Sequence, residues 1–195
     1  MEKGGLAAAL SAAGISQASQ LAWGDEMRIG LYYDHVRRVW APRGVKVRQP
    51  RQMQRCWRYL ALAVDVRVGR LTWCWVANMK GETLAGALRH WQAQGCQAVV
   101  WDGARGHHAP AVRQVGVTLI QQPPYAPELN PAERVFEELR QAIEGEMYAT
   151  IEAKMAAVER ELAQLAASPD RVRRLTGWHW IHAACQHLPK TMLDP

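Results

Sequence analysis

The sequence predicts a mixed α/β domain, one sheet with helices on its faces. Its first half reads as strands, alternating over residues 21–33 and paired about a turn over residues 59–77. From Gly81 onward the pattern switches to helix, strand, helix, strand, helix. A chain of 195 residues, 49% of them hydrophobic, is long enough to bury one core and is most simply one domain.

Residues 1–18 carry Lys3 ahead of an Ala-rich run. Few bulky side chains are present to make the apolar stretch of a signal peptide, so the segment reads as a flexible tail before a domain over 19–195. In "QLAWGDEMRIGLYY", Leu21, Trp23, Asp25 and Met27 alternate onto one strand face. The continuation through 29–33 suggests a tight turn and a second strand. "WAPRG" is punctuation, and "VKVRQ" suits a short basic strand. A hairpin follows, with arms over 59–66 and 71–77 and a turn near Gly69 and Arg70.

"GETLAGALRHWQAQG" places Leu84, Ala87, Leu88 and Trp91 on one helix side and stops at Gly95. "QAVVWDG" is a continuously apolar strand ending in an aspartate, as buried parallel strands read. A short helix from Pro110, a strand over 117–121 and a further helix complete the alternation. Beyond Thr150, Ile151, Met155, Val158, Leu162 and Leu165 form the core stripe of a C-terminal helical segment.

The formal net charge is +6, from 24 basic and 18 acidic residues. Between His35 and Val64 stand Arg37, Arg38, Arg43, Lys46, Arg48, Arg51, Arg55 and Arg58, with no acidic residue among them. Such a block is either a solvated face or a surface that neutralises the phosphates of a polyanion. Nine tryptophans against one phenylalanine suit core, interface or base stacking alike. Four cysteines far apart, with no C-x-x-C pair, fit a reduced cytosolic protein. No stretch approaches the roughly 18–20 apolar residues of a membrane span.

Three acidic residues fall where strand ends and helix starts converge: Asp25, Asp102 and Glu133. A fourth strand beside the first makes Asp25 and Asp102 neighbours, and adjacent carboxylates require a shared proton or a metal. Oxygen ligands suit Mg²⁺ or Mn²⁺. Two such ions about 4 Å apart serve phosphodiester cleavage and strand transfer. In "PPYAPELNPAERVFEELR", Asn130, Pro131 and Glu133 fall on N-cap, N1 and N3 of a helix. An N3 glutamate is also an ordinary capping-box partner, although the proline-stiffened approach imposes more constraint than a cap needs.

"WGDEMRIGL", "VVWDGARGHH" and "PPYAPELNPAERVFEEL", in this order, resemble the three catalytic blocks of DDE transposases of the mariner-type branch and its bacterial insertion-sequence relatives. The resemblance covers residues 21–143, and its third block is highly specific. It implies a ribonuclease-H-like fold, two Mg²⁺ or Mn²⁺ ions, and cutting and joining of transposon DNA ends in the bacterial cytoplasm. Asp25, Asp102 and Glu133 match the catalytic and metal-holding carboxylates, and Glu26, His107 and Asn130 match supporting positions. Arg43, Lys46, Arg48, Arg51, Arg55 and Arg105 are the candidate DNA-binding residues. The implied partners are transposon-end and target DNA, a second copy of the chain on DNA, and a separate helix-turn-helix polypeptide.

The sequence departs from the family pattern at Gly103, where asparagine is usual, and in a shorter interval from Asp102 to Glu133. Counting alone points to Glu137; the motif points to Glu133. No helix-turn-helix pattern precedes Asp25, so a noncatalytic remnant that binds DNA or a partner, and a non-transposing nuclease of the same fold, stand as alternatives. His107 would orient a phosphate or water beside Asp102, or make a structural hydrogen bond. Asp34 and Asp65 read as solvated. His179, His182 and Cys185, with His187 nearby, lack the spacing of a strong zinc site and read as packed or solvent-facing.

Overall fold

The computed structural model describes residues 5–12, 14–15, 20–33, 40–48 and 51–185. Asp34, Arg37, Arg38 and His187 lie outside the described residues. Five strands form one sheet: β1 (Leu21–Tyr33), β2 (Gln52–Asp65), β3 (Arg70–Val76), β4 (Ala98–Trp101) and β5 (Thr118–Gln121). Their order is β3-β2-β1-β4-β5. The first three pair antiparallel, while β4 runs parallel to both β1 and β5. This is the ribonuclease-H-like arrangement of a mixed sheet flanked by helices.

Among the described residues there are seven α-helices: α1 (Gly5–Ala12), α2 (Gly81–Ala93), α3 (Pro110–Arg113), α4 (Ala132–Ile143), α5 (Ile151–Ala166), α6 (Pro169–Thr176) and α7 (His179–Cys185). Strand alternation divides the core between two faces. Trp23, Met27, Ile29 and Leu31 of β1 pack with Val135, Phe136 and Leu139 of α4 and with Val158 and Leu162 of α5. Ala22, Ala61, Ala63 and Val99 turn to the other face, against Leu84, Leu88 and Trp91 of α2. Small residues on that face admit Trp91: a Cβ at Gly24 would stand 2.9 Å from Val99 and 3.0 Å from the Trp91 ring.

The first strand is longer than its sequence suggests. No turn interrupts 27–31; Met27, Ile29 and Leu31 keep the two-residue alternation, and the irregularity at Gly30 and Tyr32 is absorbed as a bulge. Residues 45–48 make no strand; they are exposed and form no ladder. Part of the expected loose tail is ordered. α1 buries Leu6 and Leu10, an i, i+4 pair that anchors an otherwise Ala-rich helix in the core.

Asp65 is also not solvated. It ends β2 at 4% exposure and accepts hydrogen bonds from the Arg67 and Val68 amides. Arg70 pairs with it at 3.2 Å. The turn it closes is covered by the start of α6, where a Cβ on Gly69 (φ +67) would lie 2.1 Å from the Pro169 carbonyl oxygen.

Candidate active site

The parallel pairing of β1 and β4 runs Leu21↔Ala98, Ala22↔Val99, Trp23↔Val100. Two residues further on, Asp25 and Asp102 come level. Asp25 shares its strand parity with Trp23 and Met27 and so turns toward α4. Asp102 is the first residue beyond β4, on the chain's exit from the sheet.

Asn130 joins the third segment to these two. Its side chain is buried; Nδ2 donates to Asp25 Oδ2 at 3.0 Å and to the Gly24 carbonyl at 3.1 Å, while Oδ1 accepts the Ala132 amide at 3.1 Å. One amide thus satisfies the first N–H of α4 and fastens the helix start to the middle of β1, but Pro131 is the N-cap, so Asn130, Pro131 and Glu133 each fall one position earlier than the sequence suggests. The capping box does not form: the Asn130 N–H donates to the Pro127 carbonyl instead. Glu133 faces Arg140, seven residues along the same helix side, at 3.4 Å.

Asp25, Asp102 and Glu133 line one cleft of about 430 Å³, together with Gly103, Gln121, Gln122 and Asn130. Its remaining wall is the proline-rich approach at 123–127, where Tyr125 holds a left-handed φ of 56° and is fully exposed. Gln122 Nε2 donates to the Ala126 carbonyl and secures this loop from below.

Asp25 has its pKa pushed up to about 7, by burial first, against the opposing Glu26 amide, and then by the charges of Glu26, Glu133 and Asp102. Asp102 is held below the usual carboxylate range, chiefly by its hydrogen bond from His107 against partial burial. His107 is not a free cleft residue. It is 2% exposed, with Nδ1 2.7 Å from Asp102 Oδ1 and Nε2 3.2 Å from Glu26 Oε2. Burial pulls this imidazole down, but the two carboxylates outweigh it and raise its pKa to about 10. With both nitrogens committed, it cannot also orient a phosphate; the structural hydrogen bond is the arrangement found.

The cleft offers oxygen donors and a shortage of positive charge. Gln122 Oε1 is buried on its wall without a hydrogen-bond partner among the described residues. An oxygen-lined, electron-rich pocket of this kind suits a hard divalent cation such as Mg²⁺ or Mn²⁺. The carboxylates line the cleft without converging, since no group of three His, Cys, Asp or Glu side chains among the described residues is gathered closely enough to hold an ion. Closing on a cation therefore takes side-chain rotation, for which the partly exposed Glu133 has room. At α7, Cys185 is buried in the core while His179 and His182 are exposed, so they do not converge.

Arg43, Lys46, Arg48, Arg51, Arg55 and Arg105 are all exposed, none paired with an acidic side chain among the described residues. Arg105 follows Ala104 of the cleft wall. Sequence reasoning missed Gln121, Gln122 and Arg140. The i+7 spacing from Glu133 would have revealed Arg140, two helical turns along one face; nothing local marks the glutamines.

Fold and site together define a ribonuclease-H-like domain with a carboxylate-lined cleft at the ends of its parallel strands. The profile described as DDE superfamily endonuclease matches residues 20–153, and the chain belongs to that family. No curated protein matches the sequence. Among solved structures, the Mos1 transposase paired-end complex with left transposon end aligns at TM-score 0.64 and 14% identity, over 97% of this chain and 62% of that one. The catalytic domain of Mos1 mariner transposase aligns at 0.53 and 13% identity over 90% of each chain. The mariner Mos1 paired end complex with Mg aligns at 0.61 and 15% identity, over 97% and 63%. The chain thus spans about six tenths of the length of the transposase chains in the two complexes.

Proposed function

We propose that the chain is the catalytic part of a transposase, a metal-dependent DNA endonuclease and strand transferase acting on insertion-sequence ends. The observation that carries the reading is that Asp25, Asp102 and Glu133, remote in sequence, line one cleft. Family membership and the fold of transposase–DNA complexes support it.

Asp25, Asp102 and Glu133 would hold two divalent ions, Mg²⁺ or Mn²⁺, which when bound supply the positive charge and Lewis acidity that phosphodiester chemistry requires. Asn130 keeps the Asp25 carboxylate in place from the α4 side. The loop at 123–127 walls the cleft and limits water around the reacting phosphate. Arg43, Lys46, Arg48, Arg51, Arg55 and Arg105 hold the DNA backbone without reading its sequence. The 3′ hydroxyl released by hydrolysis at the transposon end is then the nucleophile for joining to target DNA. End recognition falls to a separate helix-turn-helix polypeptide, with a second copy of this chain on the paired ends.

The test uses the full chain, Mg²⁺, and a duplex carrying the inverted repeat of the element with its flanking DNA. Asp102→Asn is expected to reduce strand cleavage by at least about 10²-fold, the scale seen when one transition-state contact is removed. Undiminished cleavage by that variant would overturn the proposal. Equal cleavage of unrelated duplexes would instead indicate a nuclease without a transposition role.

A further inference from the structure

We propose that Glu26 and His107 form a buried brace that fixes the orientation of the Asp102 carboxylate and thereby sets the affinity of the cleft for a divalent cation. The inference rests on the reading of Asp102 as a metal-holding residue and assigns to its two neighbours a role in that same site.

The brace begins with strand geometry. Consecutive side chains in a strand point to opposite faces, so Asp25 turns to α4 while Glu26 turns to the side of α2. There the Glu26 side chain is 5% exposed and accepts Trp101 Nε1 at 3.0 Å through one oxygen and His107 Nε2 at 3.2 Å through the other. A short 3₁₀ turn, Arg105–His108, curls the chain back so that His107 Nδ1 meets both Asp102 Oδ1, at 2.7 Å, and the Asp102 carbonyl, at 3.0 Å.

The imidazole has no freedom left. Its face lies on Trp101 with centroids 3.8 Å apart and planes 19° from parallel, and Trp101 is itself set against Trp91 at 5.2 Å. Asp102, by contrast, has a side chain 54% exposed, and such an aspartate would ordinarily rotate among staggered rotamers. Here Oδ1 is taken by His107 and by the Ala104 amide at 2.9 Å, which leaves Oδ2 as the oxygen that can face the cleft. Fold stability alone does not call for this device, because a buried ion pair replaced by apolar residues of similar volume is often neutral in stability. A carboxylate ligand whose angle is fixed from behind binds its ion more tightly than one that must first be ordered.

The experiment measures Mn²⁺ binding to the full chain without DNA, from the electron paramagnetic resonance signal of the free ion, alongside thermal melting. The double variant His107→Phe with Glu26→Met keeps an aromatic ring on Trp101 and leaves no unpaired buried charge, at the cost of the acceptor for the Trp101 indole N–H, which Glu26→Gln retains. It is expected to weaken Mn²⁺ binding about 10–100-fold, the range for residues that orient a ligand from outside the metal's own contacts, with Tm within a few degrees of wild type. Glu26→Gln, which keeps shape and an acceptor oxygen, is expected to weaken it several-fold, and decides alone if the double variant does not fold. Wild-type Mn²⁺ affinity in these variants, while Asp102→Asn loses affinity, would overturn the brace. Wild-type affinity in Asp102→Asn itself would overturn the metal-holding reading of the cleft, and the brace with it.

Discussion

Asp25 and Asp65 both have pKa values pushed up to about 7 by burial, yet their surroundings differ. Asp65 has Arg70 and two turn amides that favour its charge, whereas the charged side chains acting on Asp25 are all carboxylates. A carboxyl whose folded pKa exceeds its unfolded value stabilises fully below about pH 4, and that contribution is lost as pH rises through about 7. Asp65→Asn retains an acceptor for the Arg67 and Val68 amides and removes the titration. Its stability relative to wild type should therefore improve by on the order of a few kcal/mol between pH 4 and 7, as followed by urea unfolding at a series of pH values. A flat difference across that range would show that Asp65 titrates normally. The burial of Asp65 was illegible in the sequence because its surroundings, among them Leu21, Ala22, Trp91 and Cys96, belong to other segments of the chain. Asp102 and Glu133 were legible as candidates because one follows a strand end and the other opens a helix, and Asp25, inside β1, through the motif around it. The tie from Asn130 to Asp25 was not, since it depends on how closely α4 approaches β1.

At the level of elements, β3 is an edge strand held by a helix rather than by a second neighbour. Trp73 and Trp75 both donate their indole N–H groups to Glu159 of α5, at 2.9 and 2.6 Å. Glu159→Ala removes the shared acceptor from two partly buried donors and should cost about 2–4 kcal/mol, or roughly 5–15 °C in Tm for a chain of this size. Calorimetric melting checks it; a loss below 1 °C would mean that both indoles find water instead. The order of strands and helices was largely readable, because most elements beyond residue 59 keep their own period and glycines stand just past α2, α4 and α6. What failed was continuity. Gly30 reads as a turn in isolation, but pairing with Arg58 and Trp57 of β2 carries β1 past it. The buried Leu6 and Leu10 of α1 were hidden in an Ala-rich stretch whose helical stripe is only two residues wide.

Over the whole molecule, the registers place the cleft at the carboxyl ends of β4 and β5, and β1 and β2 continue beyond it as a two-stranded ribbon. β3 pairs with β2 only from Tyr59 to Asp65. Arg55 and the exposed Tyr32, Met53 and Trp57 lie on the extension, and Arg28 stands 5.7 Å over the Trp57 ring. If the basic segment tracks a DNA backbone, replacing Arg48 and Arg51 by alanine should lower the slope of log Kd against log salt by about 2, measured by fluorescence anisotropy with any long duplex. An unchanged slope would place the phosphate contacts elsewhere. Asp25 sits near the middle of a 13-residue strand, whereas Asp102 follows a strand end and Glu133 stands in a first helical turn. The cleft is consequently anchored unevenly: Asp25 is a post set within the sheet, Asp102 is clamped from behind, and Glu133 alone has room to swing toward whatever enters.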